Sequence, residues 1–156
     1  MILTLVEHKN GKVDEVSYEL LTLAKKLNEK FATKIGAVIL SHQTPSLAKE
    51  VSQRAIDEVI TIDAPQLASY SPDMCAAALK KLITEKKPMA FLFPYTPLGC
   101  DISPKIAMAF GLGTVSSCSG FEFEGTKPIF IKPVFNGKLF AKVSLGSSPL
   151  MISMER

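Results

Sequence analysis

Residues Phe91 to Gly113 read FLFPYTPLGCDISPKIAMAFGLG and combine an apolar strand, a polar segment and the start of a helix. The run Phe91–Phe93 is typical of a strand that helices cover on both faces. Ser103 as N-cap and Pro104 at the first helical position predict a helix start, because proline has a pre-set φ and a hydroxyl accepts an end N–H. The loop Tyr95–Ile102 is therefore predicted to lie over that helix N-terminus, where α/β domains commonly meet their ligands.

Strands and helices alternate on the N-terminal side of this junction. The predicted strands are Ile2–Val6, Ile35–Leu40 and Val59–Ile62, and the first predicted helix is Glu15–Glu29. A second helix is predicted to begin at Thr44-Pro45, with an apolar row of Leu47, Val51 and Ala55. A third is predicted to begin at Ser71-Pro72, with Met74, Ala78 and Leu82 facing inward. Such alternation indicates a three-layer α/β domain with a mostly parallel sheet and right-handed crossovers. Its predicted core includes Leu5, Leu20, Leu27, Val38, Leu82, Leu92 and Ile106.

The last third of the chain breaks the alternation. Ile129–Phe135 and Leu139–Leu145 flank Asn136-Gly137, a strong hairpin signal, which predicts an antiparallel ribbon added to the sheet. Leu150–Met154 is predicted to be a final strand. The serines before the ribbon are interpreted as a polar turn: Ser116, Ser117 and Ser119.

Size and composition point to a single globular domain spanning residues 1–156. The chain is 47% hydrophobic and carries a net charge of +3, with no apolar run of the roughly 20 residues that span a bilayer. Without a secretory signal pattern, we expect a cytoplasmic protein. Its three cysteines (Cys75, Cys100 and Cys118) show no metal-ligand spacing and are predicted to be free thiols. Scattered lysine pairs without an aromatic or arginine cluster argue against nucleic-acid binding.

The search for catalytic residues is mostly negative. His8 and His42 have no carboxylate or cysteine at metal-ligand spacing, and a surface role explains them best. The sequence contains no GxSxG elbow and no phosphate-binding glycine loop. Because no nucleophile can be matched with a base, we expect a protein that is not an enzyme.

One weak binding site is nevertheless predicted near the helix start. A phosphate group could be held there by Thr96, Gly99, Ser103 and Lys105, with Glu7 and Ser41 at neighbouring strand ends. AMP or ATP is the ligand that this arrangement would take. The same residues equally fit a capped loop with no ligand. The carboxylates of Glu7 and Asp101 are similarly open to a functional or an ordinary loop role.

The ordered features resemble those of one family, the N-terminal domain of the electron transfer flavoprotein α-subunit. The resemblance rests on the segments LTLVEHKNGKVDEVSYELLTLAKKL, TPLGCDISPKIAMAFGLGTVSSCSGFE, IKPVFNGKLFAKV and SMER, and it covers the whole chain. Three positions depart from the family pattern. Cys100 stands where relatives carry a basic residue, Ser117 where they carry an acid, and Lys132 where they carry an arginine.

The resemblance implies a fold shared with adenine-nucleotide-binding domains of the adenine nucleotide α-hydrolase type. It also implies packing against a β-type subunit, with FAD held by a following domain that would begin after about Arg156. A second copy of this chain is the other partner that we expect. We therefore expect no cofactor in this chain alone, and an assembly role without catalysis. A stand-alone AMP- or ATP-binding protein is the alternative. The predicted partner face is Phe130–Phe135 with Leu139–Val143.

Overall fold

The computed structural model describes residues 1–42 and 44–155. Its strands are β1 (Ile2–Val6), β2 (His8–Lys9), β3 (Lys12–Val13), β4 (Ile35–Ser41), β5 (Glu58–Asp63), β6 (Ala90–Pro94), β7 (Thr114–Cys118), β8 (Gly120–Glu124), β9 (Lys127–Val134), β10 (Leu139–Val143) and β11 (Leu150–Met154). Its α-helices are α1 (Glu15–Phe31), α2 (Pro45–Ser52), α3 (Pro72–Lys86) and α4 (Pro97–Ala109), and a short 3-10 helix covers Pro65–Leu67.

The main sheet has six strands in the order β5-β4-β1-β6-β11-β7, and every pair in it is parallel. Helices α1 and α2 contribute to the apolar cluster on one face, and α3 and α4 to the cluster on the other. The predicted three-layer α/β architecture is thus confirmed. All seven predicted core residues are buried: Leu5, Leu20, Leu27, Val38, Leu82, Leu92 and Ile106.

The predicted hairpin is confirmed, but its place in the fold is not. β9 and β10 pair antiparallel, with Leu139 opposite Val134, and Asn136 and Gly137 both have a positive φ in the turn. The ribbon does not extend the main sheet. It forms a separate three-stranded sheet, β10-β9-β8, because β8 pairs with β9 while β7 takes the edge of the main sheet beside β11.

The polar-turn interpretation of the serines is wrong for Ser116 and Ser117, which lie in β7. Parallel pairing with β11 provides the backbone partners of this strand, and tertiary pairing of this kind overrides the weak strand preference of serine. Ser119 lies between β7 and β8, where its N–H donates to the carbonyl of Ile131.

The inward face of α3 also differs from the prediction. Met74 is 44% exposed, and the buried face consists of Cys75, Ala76, Leu79, Leu82 and Ile83. A row at spacing four drifts by about 40° at each step of a 3.6-residue helix, so it leaves the core-facing stripe. The buried residues instead follow alternating steps of three and four. Ala55 lies beyond the end of α2.

The three-stranded sheet is anchored on one side of the domain. Phe123 of β8 meets Phe31 at the end of α1 edge-on, with 6.0 Å between ring centroids, and Phe130 of β9 is fully buried. Towards β10, the outer strand of this sheet, the side chains become exposed. In the part of the chain that the structure describes, no helix is long and apolar enough to cross a membrane.

Candidate functional site

The order of strands reverses between β1 and β6, which makes the C-terminal ends of these two strands the natural ligand position of an open parallel sheet. The chain leaves β1 at Glu7 and leaves β6 just before Thr96. The Thr96 hydroxyl donates a short hydrogen bond to the Glu7 carboxylate. Two of the predicted site residues are therefore brought together by strands that are distant in sequence.

Thr96 is also the N-cap of α4, and Pro97 occupies the first helical turn. The hydroxyl of Thr96 accepts from the N–H of Gly99 at 3.2 Å. A carboxylate beside a helix N-terminus is favoured by the helix dipole. Glu7 thus supplies, from within the chain, the negative charge that the prediction assigned to a bound phosphate.

Gly99 is fixed by close packing rather than by a ligand. A Cβ atom at this position would lie 1.9 Å from the carbonyl oxygen of Pro94. Real Cβ atoms do not approach backbone oxygen so closely, so the first turn of α4 can fold back over the end of β6 only with glycine here.

The predicted helix start at Ser103 and the loop Tyr95–Ile102 are wrong, because α4 begins seven residues earlier at Thr96-Pro97. Both sites carry a hydroxyl residue before proline, and the sequence signal cannot separate them. Ser103 is buried within the helix, and Pro104 lies inside it. An internal proline costs a helix one backbone hydrogen bond, and here it is tolerated.

The remaining predicted site residues lie apart from Glu7 and Thr96. Lys105 forms an ion pair with Asp73 of α3 at 2.7 Å, and it lies roughly 12 Å along α4 from the helix start, at 1.5 Å per residue. Ser41, at the end of β4, donates to the carbonyl of His42 at 3.2 Å. The structure therefore brings together Glu7, Thr96 and Gly99, but not Ser103, Lys105 or Ser41.

A cavity of about 300 Å³ opens beside Glu7, and we name it the switch-point cavity. Its floor is apolar and includes Leu5, Leu40, Leu67, Leu98 and Ile102, and its rim includes Glu7, His8, Lys9, Asn10 and Tyr70. An apolar pocket with a few polar groups at its edge is the usual form of a small-molecule site.

Two contributors to this region escape prediction from the sequence. The Ser17 hydroxyl of α1 accepts a hydrogen bond from the Glu7 N–H at 2.8 Å and donates one to the Glu7 carbonyl at 3.0 Å. These two bonds fix the backbone that carries the Glu7 carboxylate. Tyr70, from the segment after the 3-10 helix, donates its hydroxyl to Asp101 at 3.2 Å. Neither residue sits in a motif.

None of the three thiols is activated. Burial raises the pKa of Cys75, and burial together with the charges of Asp101 and Glu7 raises the pKa of Cys100. Burial raises the pKa of Cys118 to about 12. All three cysteines are free, as predicted. Raised pKa values keep them as neutral thiols, which are poor nucleophiles.

The histidines do not form a catalytic or metal-binding set. The ring of His8 lies with Nε2 at 2.9 Å from the carbonyl of Leu40, and His42 Nδ1 lies 3.4 Å from Asp63. Within residues 1–42 and 44–155, no group of three or more His, Cys, Asp or Glu side chains is arranged to hold a metal ion.

The pKa of the Tyr70 hydroxyl tests the hydrogen bond between Tyr70 and Asp101 at the rim of the switch-point cavity. Burial first, and then the bond to Asp101, raise the pKa of Tyr70 from 10.0 to about 12. Because the folded pKa is raised, the stabilisation by this phenol is present below pH 10 and is lost as the pH rises from about 10 to about 12. Asp101→Asn is expected to lower the pKa of Tyr70 part of the way towards 10, since burial remains.

Ultraviolet titration of tyrosinate, with Tyr70→Phe to assign the transition, measures this pKa. Asp73→Asn is the matched control, because that carboxylate pairs with Lys105 and not with Tyr70. An unchanged Tyr70 transition in Asp101→Asn would contradict the assigned hydrogen bond.

Comparison with known proteins identifies the family. Residues 2–156 match the model of the electron transfer flavoprotein domain. The chain is 32% identical to the electron transfer flavoprotein subunit alpha of Thermoanaerobacterium thermosaccharolyticum over 138 residues, which are 88% of this chain and 42% of the relative. It is 24% identical to the corresponding Bacillus subtilis subunit over 155 residues, 99% of this chain and 47% of the relative.

A further relative is the lactate dehydrogenase (NAD(+),ferredoxin) subunit LctC of Acetobacterium woodii, 26% identical over 143 residues, 91% of this chain and 34% of that subunit. The chain spans less than half the length of each of these three relatives. The match runs along nearly the whole chain and agrees with the α-subunit resemblance of its sequence segments. This chain belongs to the electron transfer flavoprotein domain family.

Proposed function

We propose that this chain is a non-catalytic assembly module of an electron-transfer complex, and that it binds a β-type electron transfer flavoprotein subunit through the exposed side of its three-stranded sheet. Phe135, Leu139 and Phe140 are large apolar side chains that stand largely in solvent at the end of the hairpin. They lie within one short segment of the chain, residues 135–140, which we name the hairpin edge. This exposed apolar segment is the observation that carries the proposal.

The hairpin edge has the properties of a surface that needs a partner. β10 is the outer strand of its sheet, so one row of its backbone N–H and C=O groups is not used in sheet pairing. Exposed edges are normally shielded by charges, prolines or a covering segment. Exposed aromatic side chains are instead enriched at protein interfaces. The two features together favour a protein partner over bare solvent.

The relatives support the type of partner. Their names describe subunits of electron-transfer assemblies, including an electron transfer flavoprotein and a lactate dehydrogenase that uses NAD(+) and ferredoxin. A β-type subunit is the companion that the α-subunit resemblance implies. A second copy of this chain is the competing occupant of the same edge.

The proposal includes no flavin in residues 1–156. FAD carries a three-ring head and a second nucleotide, whereas the switch-point cavity, at about 300 Å³, is at the low end for drug-sized ligands. Its rim also places the Glu7 carboxylate where a phosphate would have to approach the α4 N-terminus. The residues present do not fit this cofactor. The purified chain is expected to be colourless, and stoichiometric FAD in the preparation would contradict this part of the proposal.

Phe140→Lys tests the hairpin edge. Phe140 is 63% exposed, so the substitution removes apolar contact area while lysine remains compatible with an edge strand. Loss of a central aromatic contact typically costs about 2 kcal/mol or more, which is a roughly 30-fold weaker Kd. Calorimetry or sedimentation with a purified β-type subunit measures this affinity.

Met108→Lys is the control for that experiment. Met108 is 83% exposed on α4, which packs on the opposite face of the main sheet from α1. Its substitution is expected to leave the affinity unchanged. Equal weakening by both variants, or full-strength binding by Phe140→Lys, would contradict an interface at the hairpin edge.

A second candidate function is favoured by the switch-point cavity, and it is binding of an adenine nucleotide. The cavity lies where parallel α/β sheets usually bind ligands, its apolar floor suits a base, and Lys9 at its rim offers a cation for a phosphate. Against it stands the capped N-terminus of α4, whose first turn already has Thr96 and Glu7 as partners.

Calorimetry and thermal melting with AMP and ATP distinguish the two candidates. A bound nucleotide at 100-fold excess over its Kd would add about 2.7 kcal/mol to stability. Leu98→Trp, which would fill the cavity floor, should abolish that gain. If millimolar AMP and ATP give neither heat nor a change in Tm, the nucleotide-binding function is excluded.

A further inference from the structure

A second cavity, of about 230 Å³, lies between α4 and the main sheet near β7 and β11, and it shares no lining residue with the switch-point cavity. Its wall carries the hydroxyl groups of Ser103, Thr114, Ser116 and Ser153. We name it the hydroxyl cavity. Neither the assembly role nor the nucleotide alternative uses these four side chains.

The hydrogen bonds of the cavity wall show which hydroxyls can donate to a ligand. Thr114 Oγ1 donates its proton to the carbonyl of Met151 at 3.0 Å. In the 3.3 Å contact between Ser103 Oγ and Thr114 Oγ1, Ser103 is therefore the donor. Each hydroxyl has one proton, so these two oxygens offer only lone pairs to the cavity.

Ser116, in contrast, can donate a hydrogen bond to a ligand. Its Oγ accepts from the Nζ of Lys132 at 3.0 Å, so its own proton is free to point into the cavity. Lys132 is half-buried, and no carboxylate of the described residues lies within ion-pair distance of its ammonium. The Glu155 carboxylate, whose charge acts on the Cys118 thiol as that of Lys132 does, accepts from Ser117 instead. The Ser116 side of the cavity therefore carries a positive charge without an ion-paired counter-charge.

Ser153 provides the independent sign of a ligand. The residue is only 1% exposed, lies on the cavity wall, and its hydroxyl has no hydrogen-bond partner among residues 1–42 and 44–155. Among the described residues, every side-chain nitrogen or oxygen that is closed off from solvent has a hydrogen-bond partner. Because the Ser153 hydroxyl has no such partner, it is not closed off, and the cavity is where it can be reached. Buried hydroxyl groups nearly always have a hydrogen-bond partner, and for Ser153 a molecule in the cavity can provide it.

We propose that the hydroxyl cavity binds a small carboxylate that carries a neighbouring hydroxyl group. The carboxylate accepts from Ser116 and Ser153 and is attracted by the charge of Lys132, because charge-assisted hydrogen bonds are the strongest of their kind. The ligand hydroxyl donates its one proton to a lone pair of Ser103 or of Thr114. The cavity volume suits a molecule of a few carbon atoms rather than a nucleotide.

Titration with glycolate, followed by amide NMR shifts, tests this site in the intact chain. Saturable shifts centred on Ser116 and Ser153 are expected, and acetate, which lacks the hydroxyl, should bind more weakly. Ser153→Ala and Lys132→Met should each weaken glycolate binding by about tenfold or more, the effect of one hydrogen bond to a charged group. Lys138→Met, at the exposed hairpin turn, should not weaken it.

Four results would overturn the proposal, and three of them come from the glycolate titration. These are the absence of saturable shifts with glycolate, equal weakening in the Lys138→Met control, and full-strength binding in both Ser153→Ala and Ser116→Ala. Inorganic phosphate is run in parallel, and if it binds more tightly than glycolate, the proposed ligand class is wrong. None of these results depends on a β-type partner.

Discussion

Gly99→Ala is expected to lower the free energy of unfolding by about 3 kcal/mol, the upper part of the usual range for overpacking. The added Cβ would meet the Pro94 carbonyl oxygen at 1.9 Å and the Pro94 carbonyl carbon at 3.1 Å. Both are backbone atoms in a buried strand, so they cannot rotate away as a side chain would. Relief requires α4 to shift away from the end of β6.

Gly146→Ala is the matched control, because a Cβ there meets nothing within 4 Å and its φ is not in the left-handed region. Its effect should stay within about 0.5 kcal/mol. Urea denaturation of both variants measures the difference. Similar stability changes in the two variants would show that the close approach of α4 to Pro94 does not constrain the fold.

Leu92→Ala is expected to cost about 2–5 kcal/mol, the range for emptying a packed core position. Leu92 lies in β6, between Thr4 of β1 and Ile152 of β11, and it is buried on the α1 face of the sheet. With strands on both sides, its surroundings cannot collapse freely into the space.

Leu139→Ala serves as the control for this variant, because Leu139 is 59% exposed. Chemical denaturation should show little change for that variant. A loss below about 0.5 kcal/mol for Leu92→Ala would mean that β6 is not central to the core.

The alternation of strands and helices could be predicted because each element carries its own local signal. Apolar runs mark β1, β4 and β6, and the stripe in Glu15–Phe31 marks α1. The hairpin was also predictable, since Asn136-Gly137 adopts the positive φ values that a tight turn needs. These signals are independent of the rest of the fold.

The predictions from sequence fail where tertiary contacts decide between local signals of equal strength. Thr96-Pro97 and Ser103-Pro104 both specify a helix start, and the carboxylate of Glu7, which follows β1, accepts a hydrogen bond from Thr96. β7 forms because β11 pairs with it, although its serines favour turns. Long-range partners of this kind have no signature in the segment itself.

In the candidate site, too, some features follow from the sequence and others depend on long-range contacts. Placement of Glu7 and Thr96 at neighbouring strand ends follows from parallel topology, because such ends meet at one edge. Tyr70 and Ser17 come from a loop and a helix face, where nothing in their sequence surroundings marks them. The unpaired hydroxyl of Ser153 is likewise visible only once the strand is seen packed under α4.

Hydrogen–deuterium exchange of this chain, with and without a purified β-type electron transfer flavoprotein subunit, tests the assembly role most directly. The partner is expected to slow exchange in β10 and at the hairpin turn, where backbone groups face solvent in the free chain. Exchange at the rim of the switch-point cavity is expected to stay unchanged. Protection confined to that rim, or an exchange pattern that the subunit leaves unaltered, would contradict assembly through the hairpin edge.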